Sequence, residues 1–127
     1  MTADRTVLLA ALFGLVGVAA GALGAHGLEE RVSAEQLEWW GTGARYQQIH
    51  AVALLLVGWS AGPWTVWKSR AAWCFTIGMI VFAGTLYAMT LGGPRILGAI
   101  TPIGGLALML GWASVGVEAV TRRRGAG

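Results

Sequence analysis

The sequence predicts an all-α fold: an integral-membrane four-helix bundle with a short amphipathic interfacial helix between spans one and two. Three observations lead there. Hydrophobic residues fill 56% of the 127 positions and charged residues only 12%, about half the charge of a soluble domain. Mean hydropathy is +0.64. The apolar residues are gathered into four runs, each long enough as a helix to cross a hydrocarbon core of about 30 Å. A chain of this length makes one domain.

The first span covers residues 6–25 and carries no charge. Ala20-Gly21-Ala22 fits a small-x-small cleavage pattern, but a signal-peptide core is only about 7–15 residues long, so the run reads as a retained helix. Ser33-Ala-Glu-Gln36 is a capping box, and the segment to Trp40 reads as a short amphipathic helix at the interface. Gly41-Thr42-Gly43 is then expected to bend the chain into span two. Span two covers residues 42–61, with Arg45, Gln47, Gln48 and His50 in its first third. Span three, residues 71–91, is uncharged. Span four covers about 97–119. Its start is open: Thr101-Pro102 reads as an N-cap with Pro at the first helical position, or the helix begins near Leu97.

Basic residues set the orientation. Arg5, Lys68, Arg70 and Arg122 to Arg124 fall at the termini and the loop between spans two and three, whereas Arg31, Arg45 and Arg95 fall opposite, beside Glu29, Glu30, Glu35 and Glu38. Both termini are therefore expected in the cytoplasm. Trp59, Trp64, Trp67 and Trp73 flank the inner loop, and Trp39 and Trp40 mark the outer interface. The net charge of +3 thus reflects topology rather than nucleic-acid binding.

Helices in lipid associate through close van der Waals packing. Ala10, Gly14, Gly17, Gly21 and Gly24 form a seam of small residues at 4, 3, 4, 3 spacing on span one. Span three offers Gly84, Ala88 and Gly92, and span four Gly98, Gly105 and Trp112. The seams serve packing within the bundle or contact between copies.

This topology gathers His26, Arg45, Tyr46, Gln47, His50, Tyr87 and Thr101 into one outer-leaflet polar layer, a candidate binding site because polar groups at membrane depth are functional candidates. A helix beginning near Thr42 puts His50 about 12 Å along it. His50 then either serves a site or is neutral, bonding Tyr87, Thr101 or a loop carbonyl. His26 reads as punctuation at a helix end. Glu118 and Arg122 are spaced as a surface pair. Cys74 stands alone, so neither an intrachain disulfide nor a thiolate cluster can form. No metal motif, catalytic triad, phosphate loop or paired intramembrane carboxylate appears, and neither cofactor nor metal is expected.

Five blocks in order carry a family resemblance: Gly21-Ala-Leu-Gly-Ala-His-Gly-Leu28, Tyr46-Gln-Gln-Ile-His-Ala51, Phe82-Ala-Gly-Thr-Leu-Tyr87, Thr101-Pro-Ile-Gly-Gly105 and Gly111-Trp112. The chain resembles the domain-of-unknown-function 423 family of small bacterial inner-membrane proteins, with YgdD- and YwdK-like members. Leu23 stands where Phe is usual and Thr85 where Ser is usual. The resemblance implies a four-span helical membrane protein and no particular activity.

The expected function is that of a non-enzymatic accessory or structural subunit in the lipid bilayer, joined to a larger membrane complex or to copies of itself. The alternatives are a small-solute transporter or channel with an outer vestibule, and a haem- or quinone-binding redox subunit.

Overall fold

A computed structural model describes residues 1–125 and contains four α-helices. They are α1 (Ala3–Leu23), α2 (Ala34–Trp59), α3 (Val66–Thr90) and α4 (Leu97–Gly125), and a π-helical turn, Gly24–Leu28, prolongs α1. Three stretches are long and apolar enough to cross a membrane: Ala3–Leu28, Val66–Thr90 and Leu97–Arg124.

α2 corrects the expected interfacial helix. It runs unbroken for 26 residues from the Ser33 capping box, in which Ser33 Oγ accepts from the Gln36 N–H and Gln36 Oε1 accepts from the Ser33 N–H. The Gly41–Gly43 bend does not occur. Gly43 is buried against the Tyr87 ring, where a Cβ would stand 3.0 Å from a ring carbon. The missing side chain there admits a neighbour rather than breaking the helix. Trp40 is buried rather than placed at an interface.

The other helix starts also have local causes. α1 begins at Ala3 because Thr2 accepts from the Arg5 N–H. α3 begins at Val66, five residues before the expected span, because Thr65 caps it by accepting from the Lys68 N–H. Lys68 is therefore not a loop charge. It is 4% exposed, and its Nζ donates to Ser60 O and Ala61 O at 3.2 and 2.9 Å, capping the carbonyl end of α2. α4 begins at Leu97, and Pro102 lies inside it. Thr101 is no N-cap: Leu97, Gly98 and Ala99 already turn through bonds to the carbonyls three residues back, and Thr101 Oγ1 donates to Leu97 O. The connections before α3 and α4 turn at Gly62 and Gly92, whose φ values are +87° and +94°, a region glycine enters without strain.

The helices pack in chain order, α1 on α2, α2 on α3 and α3 on α4. Leu54, Phe75, Met79 and Leu108 anchor one core; Ala20, Leu28, Trp40 and Ala44 form a second. Leu8, Leu15, Val18 and Ile103 stay exposed, as lipid-facing side chains would.

The α3–α4 seam lies one residue away from the expected line. Gly105 makes ordinary contact with the Phe82 ring, whereas a Cβ on Gly104 would run into the Phe82 backbone. Gly111 and Gly78 are as tight, against Phe75 and Leu108, while Gly84 meets nothing within 4 Å. We expect Gly104→Ala to destabilise the protein by about 1–3 kcal/mol through overpacking and Gly84→Ala, in open space inside α3, to raise stability by up to about 1 kcal/mol, measured by unfolding in detergent.

Candidate functional site

The polar residues are built outward from the face between α1 and α2. Trp40 Nε1 donates to Ala20 O at 2.6 Å, Gln47 Nε2 to Phe13 O at 2.9 Å and Gln48 Nε2 to Gly17 O at 2.7 Å. The three acceptors, at steps of four and three, share one face of α1. Each already serves its own helix, and each carbonyl has a second lone pair for a donor from outside. Small residues admit the donors: a Cβ on Gly17 would meet Gln48 Cγ at 2.9 Å and one on Gly24 would meet Trp40 at 2.7 Å. Gly21 sits beside Gln48 Nε2, whereas Gly14 lies open.

The network continues to α3. Tyr87 donates its hydroxyl to Gln47 Oε1 at 3.0 Å, and its ring centroid lies 4.4 Å from that of Trp40. Gln36 Nε2 donates to Thr90 O while Thr90 Oγ1 donates back to Gln36 O, which ties the start of α2 to the end of α3. Thr85 and Thr101 hydroxyls meet at 2.7 Å between α3 and α4.

His50 joins α2 to α4 instead of bonding Tyr87, Thr101 or a loop. Its Nδ1 lies 2.7 Å from Tyr46 O, and its Nε2 accepts from Trp112 Nε1 at 3.1 Å. A carbonyl only accepts, so Nδ1 carries the proton and Nε2 offers its lone pair to the indole. Both ring nitrogens are engaged, which leaves no lone pair for a metal. Phe75 closes the third side, its centroid 5.7 Å from that of His50. α2 begins at Ala34, so His50 lies about 24 Å along it, twice as far from the helix start as expected from a start near Thr42.

The seven residues of the expected layer therefore separate. Gln47 and Tyr87 share a bond, His50 pairs with Trp112, and Thr101 pairs with Thr85. Tyr46 is half-exposed against Phe82, and His26 and Arg45 are exposed. His26 stands on the π turn, apart from the buried His50. Among the described residues, no three His, Cys, Asp or Glu side chains converge as a metal site would require.

Sequence reasoning missed Glu118. It is 8% exposed rather than a surface partner of Arg122. Its Oε2 accepts from Thr65 Oγ1, and its Oε1 is buried without a partner. The i, i+4 spacing of Glu118 and Arg122 shows that they can meet, but not that Glu118 turns inward toward α3. Trp112 was visible as a seam residue, seven after Gly105, though not as the donor to His50.

Comparison with known proteins follows this geometry. The family model described as "Protein of unknown function (DUF423)" matches residues 20–105. The UPF0382 membrane protein YwdK of Bacillus subtilis is 38% identical over 116 residues, 90% of this chain and 94% of its own length. A UPF0382 membrane protein of Staphylococcus epidermidis is 40% identical over 106 residues, covering 84% of this chain and 87% of its own. No solved structure matches the chain.

The His50–Trp112 bond makes a measurable statement. A double-mutant cycle with His50→Phe and Trp112→Phe is expected to give a favourable coupling of about 1 kcal/mol, within the range of interhelical bonds in membranes. Additive losses would show that the bond contributes nothing.

Proposed function

The chain belongs to the DUF423 family, and on that premise we propose that it is a non-enzymatic accessory subunit of a larger membrane complex, docking through the outward face of α2. In this reading α2 is a fourth span, the four helices form a bundle in the bacterial inner membrane, and both termini are cytoplasmic. Arg5 and Arg122 to Arg124 near the termini and Arg70 near the start of α3 support that orientation.

One observation carries the docking role. Arg45 is exposed while its neighbours Gln47, Gln48 and His50 turn inward. It lies between the Trp40 and Gln47 bonds to Ala20 O and Phe13 O, hence level with the middle of the uncharged run of α1. A charged side chain at that depth normally faces protein or a watery cavity, not lipid. Arg45, Ile49 and Val52 share the exposed stripe of α2. Its charge complement is a carboxylate at the same depth. The chain's six acids stand at positions 4, 29, 30, 35, 38 and 118. In a second copy of like orientation, Glu38 would lie about 10 Å nearer the start of the helix, so a different subunit fits better than a homo-oligomer.

Photo-crosslinking groups at Ile49 and Val52, in native membranes, test this. We expect one discrete protein adduct, whose added mass differs from the chain's own 13.3 kDa, and its weakening in Arg45→Gln. The same groups at Leu8 and Leu15 of α1 are expected to capture lipid. An adduct of twice the chain's mass, or lipid adducts alone from α2, would sink the reading.

A further inference from the structure

We propose that a cavity between α2, α3 and α4 binds one phospholipid of the phosphoethanolamine class, its acyl chain in the cavity and its head at the rim. The inference rests on the four-span reading above but is independent of the docking face, which lies at Arg45, Ile49 and Val52.

α2 and α4 stand apart on either side of α3, leaving a cavity of about 210 Å³. Ala71 and Phe75 of α3 form its floor, Leu56 and Val57 of α2 one wall, and Val115 of α4 the other. Such a surface favours a hydrocarbon occupant over water, as dry apolar cavities of about 150 Å³ already admit small hydrocarbons. Trp112 also lines the cavity, and its bond to His50 holds α4 against α2 at this end.

The opposite end is polar, with Lys68, Glu118 and Arg122. From Trp112 to Arg122 the helix rises about 15 Å, half the hydrocarbon core and so the depth of one leaflet. The occupant therefore has an alkyl body one leaflet long and a polar head.

Glu118 specifies the head. It lines the cavity, it is more than nine-tenths buried, and its Oε1 has no donor. A buried carboxylate oxygen without a hydrogen bond is costly. Lys68 does not supply one: its Nζ donates to Ser60 O and Ala61 O. The Glu118 Oε1 is closed off as the carboxylate stands; once the carboxylate turns toward the cavity, a primary ammonium brings both the missing N–H and the opposite charge. Arg122 is exposed at the rim, four residues on from Glu118; its guanidinium matches the phosphate beside that ammonium, the pairing arginine makes best. A quaternary choline head has the charge but no N–H. A phosphoglycerol head has donors, but its net negative charge lies against Glu118.

The test uses the full chain in nanodiscs of phosphatidylcholine doped with a brominated lipid, reading tryptophan quenching. Subtracting the Trp112→Phe variant isolates Trp112. Brominated phosphatidylethanolamine is expected to quench Trp112 several-fold more, mole for mole, than brominated phosphatidylcholine or phosphatidylglycerol. Glu118→Gln keeps the shape and an oxygen for Thr65 and is expected to abolish the preference. Arg122→Gln, at an exposed position where folding is not at stake, is expected to reduce it. Equal quenching by the three lipids, stronger quenching by phosphatidylglycerol, or a preference unchanged in both variants would overturn the proposal.

Discussion

The rest of the structure depends on bonds between α2 side chains and the spare lone pairs of α1 carbonyls. Lipid tails are as apolar as leucine, so burial alone does not bring helices together in a bilayer. Trp40, Gln47 and Gln48 reach Ala20, Phe13 and Gly17 because Gly17 and Gly24 let the two helices approach. Gln47 is then fixed well enough to receive Tyr87 from α3. His50, one turn further along α2, receives Trp112 from α4. Gln47 is thus oriented by the α1 face before it receives α3, whereas His50, held by the Tyr46 carbonyl of its own helix, receives α4.

Much of this fold was legible in the residues. The apolar runs located α1, α3 and α4, and the capping box located the start of α2. The seam of small residues on α1 pointed to the face that receives Gln48 and Trp40 at Gly17 and Gly24. Other features were hidden for physical reasons. Glycine in Gly41-Thr42-Gly43 has the same letter whether it breaks a helix or admits a tyrosine ring. The choice between Gly104 and Gly105 rests on a rotation of about 100° between successive residues, which spacing alone cannot fix.

The polar residues were harder still. Depth in the membrane groups residues by height, but hydrogen bonds group them by azimuth as well. Gln47, His50 and Thr101 therefore join three different helix pairs, α1–α2, α2–α4 and α3–α4. The inward turn of Glu118 depends on Thr65, 53 residues away, and no local pattern encodes it. His50 acts as a strut, with one nitrogen donating and the other accepting.

The polarity of α2 has a consequence for how the chain is made. On the four-span reading, α2, the one described helix outside the three apolar spans, carries its donors into a setting where, alone, they would find no acceptor. The ribosome delivers α1 first, so the acceptors at Phe13, Gly17 and Ala20 exist before their donors emerge. On the four-span reading, α1 serves as a template within the membrane, and the two helices enter the bilayer as a hairpin. Translation order then becomes part of the folding code: a circular permutation placing α2 ahead of α1 would keep every contact yet remove the surface on which α2 is received.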